Sequence, residues 1–237
     1  MCKQTSSRGI VGRRVGAIAG MAACGLLLTL AAPAWSYNRL ANNQAWPASV
    51  ASAGVPYVVG KSGAPGVGYQ ATATSVQAAM VSWSAPSCTY LRTTFEGSTT
   101  ITDWAEDGTN VLAWRSMPPD VGNDVIAATE IHPYGGRTTT DSDIMFNTYY
   151  DWSTNATGEQ MDIQGIATHE LGHYFGLDHS NASGSIMGPY AGSGAESVAL
   201  RTLGRTTSKA SAPSTRAARQ SPTAGRRRGA TAAAARD

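Results

Sequence analysis

Residues 169–179 read His169-Glu170-Leu171-Gly172-His173-Tyr174-Phe175-Gly176-Leu177-Asp178-His179 and hold three of the four histidines of the chain. His169 and His173 are four apart, which on a helix sets both imidazoles on one face about a turn apart. Two imidazoles so placed can grip one zinc ion, and Glu170 beside them can take a proton from a metal-bound water. Gly176 lets the chain leave the helix through a backbone conformation that residues with a β-carbon resist, and that turn brings His179 in as third ligand. Three protein ligands leave the fourth position for water, the coordination of a catalytic zinc and not of a structural one. The chemistry this implies is hydrolysis. Zinc lowers the pKa of its water toward about 7 and polarises a carbonyl, and Glu170 carries the proton from that water to the leaving group.

A second element follows at Ser185-Ile186-Met187-Gly188-Pro189-Tyr190, with Met187 eight residues past His179. With it the chain resembles the metzincin metallopeptidases, whose extended zinc motif precedes a methionine-bearing turn beneath the metal. By that resemblance Met187 supports the histidines and does no chemistry. Relatives in the astacin and serralysin groups carry a tyrosine ligand two residues after the methionine. Here Tyr190 stands three after Met187, across Pro189, so Pro189 and Tyr190 are read as a wall of a specificity pocket.

The elements that must position this site can be read in order. From Tyr37 the chain shows little periodicity, and residues 54–60 read as a first strand. Residues 63–68 are a glycine- and proline-rich loop. In residues 74–83 the apolar Val76, Ala79, Met80 and Trp83 recur at helical spacing, and Pro86 ends the helix. Residues 89–95 alternate and read as a strand. Asp107-Gly108 marks a turn before a strand at 110–114, and Pro118-Pro119 breaks the chain. Further strands are read at 125–132 and 142–147. Asp162 is a good N-cap for a helix from Ile163 that carries Ile166, His169, Leu171 and His173.

This order, over about residues 50–205, resembles the matrixin-like metzincins of the secreted bacterial type. The resemblance implies an α/β (α+β) fold: a twisted, mostly parallel mixed sheet with one antiparallel edge strand, an active-site helix and a Met-turn. It places Ser142-Asp143-Ile144-Met145-Phe146-Asn147 on the edge strand, with Asp143 to Asn147 lining the cleft and pairing with an extended substrate. Vertebrate matrixins hold a second, structural zinc with an aspartate and three histidines. His132 is the one histidine upstream of the motif, so a single catalytic Zn2+ is expected. Asp141 and Asp143 offer the oxygens that Ca2+ takes, but nothing else supports calcium there, and the pair reads as solvated.

Outside the catalytic region, residues 1–36 read as a signal peptide. Lys3, Arg8, Arg13 and Arg14 precede an apolar stretch, and Ala34-Trp35-Ser36 suits cleavage before Tyr37. An uncleaved anchor is the alternative. Cleavage removes Cys2 and Cys24, which leaves Cys88, read as a half-buried cysteine at a strand edge. Residues 37–200 carry five basic and fifteen acidic side chains, whereas 201–237 carry nine basic and one acidic. The acidic core gives no case for nucleic-acid binding.

Residues 206–237 lack apolar side chains that could build a core and read as a disordered basic tail. A second reading stays open. Shifted one base after Arg205, the codons of residues 206–216 permit Asp, Asp, Ile, Gly, Ile, Leu, Tyr and Pro, in the order of the closing helix of matrixin-like domains. The tail is then out-of-frame translation.

Three domains of sequence result: the signal at 1–36, a catalytic domain at 37–205 and the tail at 206–237. The function expected is that of a secreted zinc-dependent endopeptidase, extracellular or periplasmic, acting as a monomer on protein or peptide substrates, with no membrane attachment after signal cleavage. The ligands are His169, His173 and His179 and the base is Glu170. The rival from another class is a secreted zinc-binding or adhesive module without turnover. A third reading is a self-processing peptidase of narrow specificity.

Overall fold

The computed structural model describes residues 38–87, 89–203 and 234–235. Its elements are β1 (Asn38–Arg39), a 3-10 turn (Ala41–Asn43), α1 (Ala48–Ala53), β2 (Val55–Gly60), α2 (Tyr69–Ser84), β3 (Thr93–Thr99), β4 (Val111–Arg115), β5 (Ala127–His132) and β6 (Asp141–Asn147). There follow β7 (Trp152–Ser153), β8 (Met161–Asp162), α3 (Ile163–Tyr174), β9 (Leu177–Asp178), α4 (Ala195–Ala199) and β10 (Ala234–Ala235). Strands β5-β6-β4-β2-β3 make the central sheet in that order, with β10 paired parallel to the outer side of β5. The pairs β2/β3, β2/β4 and β4/β6 are parallel, and β5/β6 is antiparallel. Parallel neighbours need a long crossover, and α2 supplies the one between β2 and β3. This is the mixed α/β fold of the metzincins that the sequence implied.

Side chains of successive strand residues leave the sheet on opposite faces. Leu112, Trp114, Ile144 and Phe146 therefore join the core beneath α2 and α3, whereas Val111, Ala113 and Met145 join a second cluster with Met117, Val121 and Val125. Both faces of β4 and β6 are covered; β4 is accordingly apolar up to its final Arg115, whereas β6 buries the polar Asp141, Ser142, Asp143 and Asn147 beside Ile144, Met145 and Phe146. Trp114 stacks on Phe146 at 4.3 Å between ring centroids, and Trp152 meets both rings edge-on. No helix among the described residues is long and apolar enough to cross a membrane.

Several expectations are corrected. The strand at 142–147 is not an edge. It is β6, buried along its whole length and bonded to β4 on one side and β5 on the other. It cannot accept a substrate strand, because its backbone groups are already paired. The antiparallel strand of the five is β5, at the opposite end of the order from β3. Next, the strand expected at 89–95 lies at 93–99, because its register is set by β2, with Val55 opposite Thr93. Alternation within one strand cannot report that register. Helix α2 starts at Tyr69, five residues before the apolar spacing becomes legible, because its first two turns bury the small Thr72, Ala73 and Ser75. Residues 38–53, read as irregular, hold β1 and α1. The signal at 1–36, Cys88 and, apart from β10, the tail lie outside the described residues.

Candidate metal centre

Helix α3 is buried on all sides, and Gln164 is its one residue that is not. Its start is fixed by Asp162, as the sequence indicates: the carboxylate accepts the Gly165 N–H at 2.7 Å. Asp162 is itself buried, and Arg201 beyond α4 neutralises it with bonds of 2.8 and 2.5 Å. Mid-helix, the Trp83 indole of α2 donates to the Thr168 carbonyl at 2.9 Å. Gly172 is required by close packing, since a β-carbon there would collide with the Met187 sulfur. Met187 is fully buried and lies directly against α3 on the side of Gly172.

The three histidines meet. One ligand atom from each of His169, His173 and His179 lies within 4.8 Å of the other two. His169 Nδ1 bonds the Ile186 carbonyl at 2.6 Å, and His173 Nδ1 bonds the Leu177 carbonyl at 2.8 Å. A carbonyl can only accept, so Nδ1 carries the proton in both rings and Nε2 keeps its lone pair. The Nε2 atoms of all three histidines are buried and have no hydrogen-bond partner. Burial holds the rings neutral: it lowers the pKa of His169 to about 4 and that of His173 well below its ordinary value. His179 is lowered by burial too, with Asp178 acting in the opposite sense. Three neutral imidazoles with converging, orphaned Nε2 atoms suit a divalent ion of zinc's preferences.

Glu170 is fully buried, and burial pushes its carboxyl up to about 8 against the opposing bond from Thr129. Thr129 on β5 donates to Oε2 at 2.7 Å, whereas Oε1 has no partner.

The geometry also enlists a segment with no motif of its own. β1 pairs antiparallel with β9, setting Asn38 opposite Asp178 and Arg39 opposite Leu177. Asn38 Nδ2 donates to the His179 carbonyl at 2.7 Å, and the Leu40 N–H to the Gly176 carbonyl at 3.1 Å. Gly176 has φ +94°, and the Gln44 carbonyl and Ala45 leave no room for a β-carbon there. Trp46 Nε1 donates to the carbonyl of Tyr174, the last residue of α3. Residues 38–46 thus brace the turn that carries His179. Nothing local in Asn38-Arg39-Leu40 signals this, because the partner lies 141 residues away.

Other residues named from the sequence fall as follows. Pro189 is half-buried, and Tyr190 is 75% exposed. Asp141 and Asp143 are not solvated but buried, and each holds backbone of the loop before β4. Asp141 accepts from the Asp107 and Gly108 N–H groups at 2.8 Å, and Asp143 from Ala105 at 3.0 Å and Val111 at 2.8 Å. His132 lies between Glu106 and Glu130, at 4.0 and 3.8 Å from their carboxylate oxygens.

A helix-borne histidine pair, a third histidine past a glycine turn and a methionine packed beneath them, on a mixed α/β sheet, define a metzincin-type metal centre. Residues 67–202 match the Matrixin family (Peptidase_M10), and the chain belongs to that family. Over 85 residues it is 33% identical to Karilysin of Tannerella forsythia, a stretch that covers 36% of this chain and 14% of that protein. The chain therefore spans a small part of that relative's length. The family is one of zinc-dependent metalloendopeptidases, and peptide substrates go with it.

Proposed function

We propose that this protein is a secreted zinc endopeptidase in which Glu170 is the general base. The observation that carries the reading is the convergence of three buried, unpartnered Nε2 atoms beside a buried glutamate whose Oε1 also lacks a partner. His169, His173 and His179 are the residues that hold zinc. Once bound, zinc supplies a polarised scissile carbonyl and a water acidic enough to lose its proton near neutral pH.

The rest is done by the chain. Glu170 accepts the proton of the attacking water and delivers it to the leaving amine. The Ile186 and Leu177 carbonyls keep two of the imidazoles in the ligating tautomer. Met187 fills the space below Gly172 and keeps the ligand-bearing helix from shifting. Pro189 and the exposed Tyr190 form one wall of the groove for a substrate side chain. Export is supported by the charged, apolar and small-residue succession at 1–36.

The test uses the mature protein, a quenched-fluorescence peptide library and a chelator. Wild type is expected to cleave, to stop when zinc is removed and to resume when it is restored. Glu170→Gln keeps the shape and all three ligands, so it should retain zinc while hydrolysis falls by about two orders of magnitude or more. Undiminished hydrolysis in that variant overturns the assigned base. Zinc binding without any turnover by wild type favours the non-catalytic module.

A further inference from the structure

We infer that Thr129 is a positioning residue for the base: its hydroxyl holds one oxygen of Glu170 so that the other faces the reacting water. The inference rests on the reading of Glu170 given above and extends it to a residue outside the zinc motif.

A hydroxyl has one proton to give. Thr129 Oγ1 lies 2.7 Å from Glu170 Oε2 and 3.3 Å from the Glu170 backbone carbonyl. That carbonyl already belongs to a helix, so the shorter bond to the carboxylate takes the proton. The arrangement makes the two carboxylate oxygens unequal. Oε2 is tied to the sheet, and Oε1 is buried with no hydrogen-bond partner. A carboxylate on a free side chain turns about its terminal torsion at little cost. One strong donor removes that freedom and fixes which oxygen is available.

The donor itself cannot drift. Thr129 is buried on β5, opposite Ile144 of β6 in the antiparallel ladder. Its β-branched side chain has few rotamers. Ala127, two residues earlier on the same face, packs in the core with Ile166, Ala167 and Leu171 of α3. The bond therefore links two rigid elements, the sheet and the active-site helix, at the residue that handles the proton. Among the described residues no other side chain is seen bonding Glu170.

The test compares Thr129→Val and Thr129→Ser with wild type and Glu170→Gln in the full mature protein. Valine keeps the shape and loses the donor, whereas serine keeps the donor. Each variant is measured for zinc content, melting temperature, kcat and KM on one library-selected quenched peptide, and each is crystallised. Thr129→Val is expected to hold one zinc, to lose roughly ten- to hundredfold in kcat with KM changed less than about threefold, and to show the Glu170 carboxylate turned or spread over two positions. Thr129→Ser should recover most of kcat.

Wild-type kcat in Thr129→Val, or an unmoved Glu170 carboxylate in its crystal structure, overturns the inference. So does a serine variant no better than the valine one. A loss confined to melting temperature or zinc content makes Thr129 merely structural and overturns it as well. Should Glu170→Gln keep full activity, the base assignment fails first. An inactive Glu170→Gln beside a fully active Thr129→Val removes the role of Thr129 alone.

Discussion

His169 and His173 ride a buried helix, but His179 sits half-buried in a turn that follows it. Of the three proposed ligands it depends most on neighbours outside α3. His179→Ala should weaken zinc retention in competition with a chelator while leaving the fold intact, since two ligands cannot complete the site. Unchanged zinc affinity in that variant removes His179 from the set.

Asp143 gives a prediction about pH. Burial pushes its carboxyl up to about 7, opposed by the Ala105 and Val111 donors and reinforced by Asp141 and Asp107. An unfolded aspartate titrates near about 3.9. Between those values the folded chain keeps a proton that the unfolded chain has lost. The stability this group contributes is therefore full below about pH 4 and is lost as pH rises through about 7. Asp143→Asn cannot titrate. The stability of wild type relative to Asp143→Asn, read from urea midpoints, should fall from pH 4 to pH 8, and a flat difference refutes the assignment.

At the scale of elements, the site is a helix held at three points: its N-cap, its packing against Met187 and its exit turn. Gly172→Ala forces a methyl group into the Met187 sulfur, so either the helix or the Met-turn must move. Overpacking of this kind costs roughly 1–3 kcal/mol. Thermal melts should show that loss, and zinc affinity should fall with it because the ligands on α3 shift relative to His179. A melting temperature equal to wild type argues against the close packing.

The exit turn carries the other prediction at this scale. Asn38→Ala removes the bond from β1 to the His179 carbonyl. A hydrogen bond of this kind is worth roughly 0.5–1.5 kcal/mol. The zinc dissociation constant should rise by up to about tenfold, whereas substitution of the exposed Tyr134 should leave it unchanged.

For the whole molecule, the question left by the sequence is the region after Arg205. A groove of about 920 Å³ lies between α2 and Arg201–Leu203, lined by Ala78, Val81, Ser82, Ala85 and Pro86. Val81 is 61% exposed within α2. On the out-of-frame reading, restoring the frame at Arg205 adds isoleucine and leucine side chains to the stretch of sequence that follows Leu203. Burying two of them is worth roughly 3–6 kcal/mol. The frame-restored protein should then melt well above the present chain. Equal melting temperatures, or native protein whose C-terminal peptides carry the arginine-rich sequence, count against the slip.

What the sequence by itself determined is what short range determines. The four-residue spacing of His169 and His173, the glycine turn to His179, the Asp162 cap and the following methionine are all local relations. Within a single helix and its exit, local relations fix geometry. Strand β4 was legible for a similar reason, since burial on both faces leaves an apolar run, Val111 to Trp114, in the strand itself.

Tertiary structure alone decided the rest. Which strand lies at the sheet edge depends on pairings between distant segments, and β6 carries no local sign that β4 and β5 flank it. The brace from Asn38 to His179 and the bond from Thr129 to Glu170 span 141 and 41 residues. Neither residue type is unusual where it stands. Each becomes part of the site only because the folded sheet and the active-site helix bring its polar atoms within bonding distance of it.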